Sequence, residues 1–193
     1  MGKKVCVFCA SSSKIDRVYM DAAVELGKVL VKEGLGIKYG GGGLGLMGAV
    51  ADSVLACGGE VTGVIPRFMV EVEWEHKGVK DMVHVDTMAQ RKELLVKEVE
   101  AVITLPGGTG TMEELFEVLS SKKLGLFNKP VVLLNTKGFF DPLIQMIRKM
   151  IDQNFMREEH GTLWTVINEP GDVMKAIKNS RKWPDDPMKI ATF

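Results

Sequence analysis

Two hydrophobic patterns alternate along this chain. Short, nearly continuous apolar runs at 5–10, 35–39, 61–65, 82–85, 101–105, 130–135 and 162–167 read as buried strands. Between them lie stretches whose apolar residues recur at helical spacing. Val18, Ala22, Leu26, Val29 and Leu30 define a helix over 16–33, which Gly34 is placed to stop. Further helices are expected over 49–56, 88–99, 111–126, 139–155 and 172–178. Residues 67–80 hold a steady period of neither kind and read as a loop with a short helix. The tail from Trp183 onward, with its prolines and aspartates, reads as frayed.

Strands alternating with helices of this length make an α/β domain around a mostly parallel sheet. Residues 1–182 are expected to form one nucleotide-binding domain, with 183–193 as a C-terminal tail. In such sheets ligands bind beyond the carboxyl ends of the strands. Three strand ends carry informative loops: Ser11-Ser12-Ser13, the glycine run from Gly40 to Gly48, and the run from Pro106 to Thr111.

Composition narrows the function classes. The chain has 193 residues, 46% hydrophobic, with 25 basic and 25 acidic side chains. That size supports a sizeable core, and the balanced charge argues against a nucleic-acid partner. No apolar run reaches the ~20 residues of a membrane-spanning helix, so no membrane association is expected. The basic start followed by an apolar run breaks at Ser11, too early for a signal peptide, and a cytoplasmic location is expected. The three cysteines fit reduced thiols. Cys6 and Cys9 have redox-motif spacing but lie in a strand, where i and i+3 face opposite sides, so they read as core residues. His76, His84 and His160 are scattered, with no metal-ligand spacing, and Glu159-His160 reads as an exposed pair. No metal is expected.

The chemistry concentrates in Pro106-Gly107-Gly108-Thr109-Gly110-Thr111-Met112-Glu113-Glu114. An apolar strand precedes it and an amphipathic helix follows. Glycines let a ligand approach the backbone amides, and the first N–H groups of a helix favour an anion. Two carboxylates in what reads as the first helical turn place acid groups beside this phosphate cradle. Thr111 and Glu114 also match a capping box, which alone would explain both. A carboxylate there would be held ionised by the helix N-terminus, suited to activating water or to stabilising positive charge. The run Gly43-Leu44-Gly45-Leu46-Met47-Gly48 matches the dinucleotide fingerprint, but it follows the second strand and lacks the downstream ribose acid. It reads either as a tight turn packing helix on sheet or as a phosphate or ribose contact through Gly42, Gly43 and Met47. Ser12 is expected to border the same site. Arg91 and Lys92 stand near a helix start, where cations oppose the dipole. An anionic ligand would offset that cost, and a solvated polar face accounts for them equally well. Arg67 is a weaker candidate of the same kind.

The nine-residue run resembles the PGGxGTxxE signature of the LOG family, cytokinin riboside 5′-monophosphate phosphoribohydrolases often labelled lysine decarboxylases. The similarity extends to the run from Tyr39 to Gly48, Gly63-Val64-Ile65-Pro66-Arg67, Arg91-Lys92 and Asp141-Pro142. The resemblance implies a Rossmann-like, doubly wound homodimer. It would hydrolyse the N-glycosidic bond of a purine nucleoside 5′-monophosphate and need no cofactor. Carried over by motif, Arg91 and Glu114 are the catalytic pair. Glu73, Lys92 and the residues Gly107, Gly108, Thr109, Gly110, Thr111, Met112 and Glu113 are substrate contacts. Two positions depart from the family pattern. Ala89 stands where a His is usual, and Ser13-Lys14 replaces Pro-Gly in the first loop. A non-catalytic nucleotide-binding sensor or carrier, and a hydrolase of another phosphoribosyl compound, are the alternative readings.

Overall fold

In the computed structural model, which describes residues 2–70, 74–184, 186 and 189, seven strands form one sheet in the order β4-β3-β2-β1-β5-β6-β7. The strands are β1 (Lys4–Phe8), β2 (Gly36–Tyr39), β3 (Val61–Pro66), β4 (Asp81–Val85), β5 (Val102–Thr104), β6 (Val131–Leu134) and β7 (Thr165–Ile167). Every ladder is parallel. The helices are α1 (Arg17–Lys32), α2 (Gly45–Ala56), α3 (Met88–Val96), α4 (Thr109–Lys123), α5 (Asp141–Asp152) and α6 (Val173–Asn179).

Strand alternation divides the core into two layers. Val5, Val7 and Cys9 of the first strand region join Leu26, Leu30, Val50, Val54 and Ala176 on the face covered by α1, α2 and α6. Cys6 and Phe8 join Leu95, Leu115, Val118 and Ile103's neighbour Val102 on the opposite face, which α3 and α4 cover. Helices on both faces of a parallel sheet make the fold doubly wound, and the near-continuous apolar strands follow from burial on both sides. The strand order reverses between β1 and β5, which opens a crevice at their carboxyl ends.

Several element boundaries differ from the sequence reading for local reasons. The third helix stops at Val96, because Lys97 is extended and Glu98 takes φ 57°. The last strand begins at Thr165, because residues 158–162 wind into a 3-10 turn. His160 is buried rather than exposed: its Nδ1 accepts from the Arg157 amide, and its ring lies 6.1 Å from that of Trp183. Trp183 itself is packed into the second core layer, so the tail is held at its first residue. Within 67–80, Arg67–Met69 forms a 3-10 turn, and residues 74–76 run beside the first glycine run.

Candidate active site

The crevice between β1 and β5 holds a cavity of about 310 Å³. Its wall on one side is the start of α4: Gly108, Thr109, Gly110 and Thr111, with Glu114 one turn further on. Ser11 and Ser12 of the β1–α1 loop, Gly40 after β2, and Met47 of α2 form the rest of the rim, and Arg91 reaches in from α3. The sheet brings these distant segments together because each follows, or lies next to, a strand end at the reversal point.

The two glycine runs serve different purposes. At α2, the first amides are already bonded: Leu46 and Met47 both donate to the Ala10 carbonyl, at 3.0 and 3.3 Å. Gly45 has φ 60°, and Gly48 lies so close to Gly43 that a Cβ would come 2.3 Å from its carbonyl oxygen. Gly42 pairs with Glu75 across an antiparallel bridge, and Gly43 donates to the Trp74 carbonyl at 3.0 Å. This run therefore anchors helix to loop, and Gly42 and Gly43 do not line the cavity, whereas Met47 does. At α4, Thr109, Gly110 and Thr111 occupy the first three helical positions, whose amides have no intrahelical acceptor. Gly108 to Gly110 are exposed, and Gly108 to Thr111 line the cavity.

The start of α4 corrects the capping-box reading. The N-cap is Gly108, without a side-chain cap bond, and Thr111 is the third helical residue. Its side chain is buried against Gly107, where a Cβ would fall 2.1 Å from Thr111 Oγ1. Glu113 and Glu114 consequently stand in the second turn, and the dipole effect expected there is reduced, since it fades beyond the first turn. The capping box is at α3 instead, where Thr87 accepts from the Gln90 amide at 3.1 Å and the Gln90 side chain returns to the Thr87 amide.

Arg91 is 5% exposed and is fixed by two backbone carbonyls: Nε donates to Val64 at 3.2 Å and Nη2 to Gly40 at 3.1 Å. Its guanidinium thus ties α3 to the ends of β2 and β3 beneath the cavity. The neighbouring residues face elsewhere. Lys92 pairs with Glu113 at 2.6 Å and with Glu117, and those hydrogen bonds, to Glu113 first, raise its pKa. Neither Lys92 nor Glu113 lines the cavity, and Met112 packs against the second core layer. Arg67 is exposed and pairs with Asp86 at 3.4 Å. Ala89 is exposed on α3, away from the cavity lining. Glu73 lies outside the described residues.

Cys9 and Gly40, which the sequence did not mark as site residues, also line the cavity, directly after β1 and β2. Burial, followed by the charge of Glu114, pushes the Cys9 thiol well above its usual pKa, so it stays protonated. A larger groove, about 1030 Å³, lies between α1 and α5 beyond β6 and β7. Its Lys137 is already paired with Asp16 at 2.8 Å. The smaller cavity is the chemically equipped one.

The family model described as "Possible lysine decarboxylase" matches residues 47–177. The chain is 39% identical over 176 residues to the probable cytokinin riboside 5′-monophosphate phosphoribohydrolase LOGL2 of Oryza sativa subsp. japonica, covering 91% of this chain and 72% of the relative. The chain belongs to the LOG family. Cytokinin riboside 5′-monophosphate phosphoribohydrolase LOG2 of Arabidopsis thaliana is 42% identical over 154 residues, 80% of this chain and 72% of its own. Among solved structures, the molybdenum cofactor carrier protein of Chlamydomonas reinhardtii superposes with a TM-score of 0.71 at 20% identity, covering 92% of this chain and 97% of its own. The molybdenum cofactor binding protein of Rippkaea orientalis gives 0.68 at 19% identity, covering 92% and 96%. At these identities the two structures speak to the fold alone. Arg91 and Glu114, the pair that the resemblance implies is catalytic, line one cavity. Among the described residues, no helix is long and apolar enough to cross a membrane.

Proposed function

We propose that this chain hydrolyses the N-glycosidic bond of a purine nucleoside 5′-monophosphate, AMP or an N6-substituted AMP, to free base and ribose 5-phosphate. The observation that carries this reading is the convergence of Arg91, Glu114 and the first turn of α4, Thr109 to Thr111, on one cavity. The amides and the helix end receive the phosphate, and Arg91 adds positive charge. Binding energy from this remote phosphate is available to position C1′ against Glu114. As the C1′–N bond breaks, the sugar acquires oxocarbenium character. The Glu114 carboxylate stabilises it and accepts a proton from the water whose oxygen bonds to C1′; the departing base takes a proton from solvent, and Glu114 returns its own to solvent to close the cycle. Ser12 and Met47 border the ribose side, with Cys9 as a neutral wall.

The family label of lysine decarboxylase implies pyridoxal phosphate held on a lysine. No lysine lines this cavity, and Lys92 is turned outward to Glu113 and Glu117. The residues present do not fit that cofactor. The protein functions as a cytoplasmic homodimer in this reading, with residues 1–182 as one nucleotide-binding unit and no nucleic-acid partner. Incubation with a panel of nucleoside 5′-monophosphates, followed by chromatography for free base, tests the activity. Binding of AMP without release of adenine across the whole panel would favour a carrier or sensor. Turnover confined to another phosphoribosyl compound would move the substrate assignment.

A further inference from the structure

The larger groove, between α1 and α5, takes no part in the proposed reaction, and most of the charges lining it are met by the protein itself. Lys137 pairs with Asp16 at 2.8 Å, and Asp141 accepts from Asn135 Nδ2 at 2.8 Å. Glu25 pairs with Lys28 at 3.4 Å, and Asp21 with Arg17 at 3.7 Å. Two charged lining residues are left: Arg148 on α5 and Glu169 after β7. Neither has a hydrogen bond or ion pair among the described residues. They are opposite in sign and share one cavity, yet they do not pair with each other.

The walls of this groove are braced. Asp16 caps α1 by accepting from the Val18 amide, so its pair with Lys137 ties α1 to the loop after β6. Asn135 ties the same loop to α5, donating to Asp141 and accepting from the Phe140 amide at 2.7 Å. The groove lies at the carboxyl ends of β6 and β7, the end of a parallel sheet where ligands bind. Val18 and Val166 line it while 36% and 37% exposed, and Ile144 lies between the charged positions of α5. Thr136, also in the lining, is 7% exposed, and its Oγ1 is a buried polar atom without a partner.

We propose that this groove binds a free α-amino acid with a large apolar side chain. Arg148 takes the carboxylate through the paired donors of its guanidinium, and Glu169 takes the ammonium. The side chain covers Val18, Ile144 and Val166, removing their apolar surface from water. A zwitterion meets both free charges at once. A simple anion would leave Glu169 unmet beside it, and a simple amine would leave Arg148 so. Gln145 and Asn168 also line the groove without partners among the described residues, and they supply further hydrogen bonds. The volume of about 1030 Å³ admits the bulkiest of these side chains, the indole of tryptophan included. No bond is made or broken at this site, so the proposal stands independently of the hydrolase reading.

Titration calorimetry of the full chain with L-leucine, L-phenylalanine and L-tryptophan tests it. Two analogues of L-phenylalanine are run beside them: 2-phenylethylamine, which lacks the carboxylate, and 3-phenylpropionate, which lacks the ammonium. Arg148 and Glu169 are exposed, so a Kd of about 0.1 to 1 mM is expected for the amino acids. Each analogue should bind at least ~5-fold more weakly than L-phenylalanine. Arg148→Met should weaken L-phenylalanine by ~5-fold or more while leaving 2-phenylethylamine within ~2-fold, and Glu169→Gln should do the same with 3-phenylpropionate. Absence of binding by all three amino acids at about 10 mM would overturn the proposal. So would affinity that neither substitution weakens, or an analogue that binds wild type as tightly as L-phenylalanine does.

Discussion

Arg91 Nη2 donates to the Gly40 carbonyl at 3.1 Å, and a Cβ on Gly40 would lie 2.4 Å from that same nitrogen. The absence of a side chain after β2 is therefore what lets the guanidinium settle under the cavity. Gly40→Ala forces the end of the Arg91 side chain to move while the strand stays in place. The expected result is a fall of about 10- to 100-fold in kcat/KM with AMP. The melting temperature should drop by less than about 4 °C, equivalent to roughly 1 kcal/mol at this chain length. A large loss of stability with an unchanged rate per folded molecule would show that Arg91 placement is not what Gly40 protects.

Gly45 meets two requirements at once. Its φ is 60°, and a Cβ would fall 2.5 Å from the Ser11 carbonyl carbon and from the Ser12 carbonyl oxygen. Both contacts are backbone, so neither can rotate away. Gly45→Ala is expected to cost about 3 kcal/mol, from the left-handed conformation together with the overpacking. Urea unfolding measures it; a cost under about 1 kcal/mol would mean that the β1–α1 loop yields freely.

Lys122 provides a pH-dependent prediction away from the site. It is 1% exposed, donates to the Lys129 carbonyl at 2.9 Å, and burial pushes its pKa down to about 8 from 10.5. Between those values the unfolded chain holds a proton that the folded chain has released, so this group's contribution to stability improves as pH rises through that window. Below about pH 8 the folded state carries the full cost of the buried charge. Lys122→Met should therefore be more stable than wild type at pH 7, by about 2 kcal/mol, with the advantage shrinking towards pH 10.5. Denaturation curves at pH 7 and pH 10 check the sign; an advantage that grows with pH would contradict it.

The strand–turn–helix unit around Pro106 to Glu114 was legible because its signals are local: an apolar strand, glycines, then helical spacing. The two-sided core was equally legible, as Cys6 and Cys9 illustrate by entering opposite layers. What was not legible depends on contacts distant in sequence. Thr111 matches a cap locally, yet its burial against Gly107 moves the helix start back to Thr109. The pairing of Lys92 with Glu113 and Glu117 depends on α4 standing beside α3. His160 reads as exposed unless Trp183 is known to return over it. The glycine run at 40–48 held both readings open, and the bonds from Leu46 and Met47 to Ala10 favour the anchoring one.

Glu114 is the residue on which the proposed chemistry turns, since among the described residues lining the cavity it is the carboxylate. Purified wild type and Glu114→Ala are each incubated with AMP, and free adenine is quantified by chromatography. Wild type should release adenine and ribose 5-phosphate in equal amounts, and Glu114→Ala should fall by about 100-fold or more in kcat while still binding AMP. Equal adenine release by the two proteins would contradict the catalytic role of Glu114.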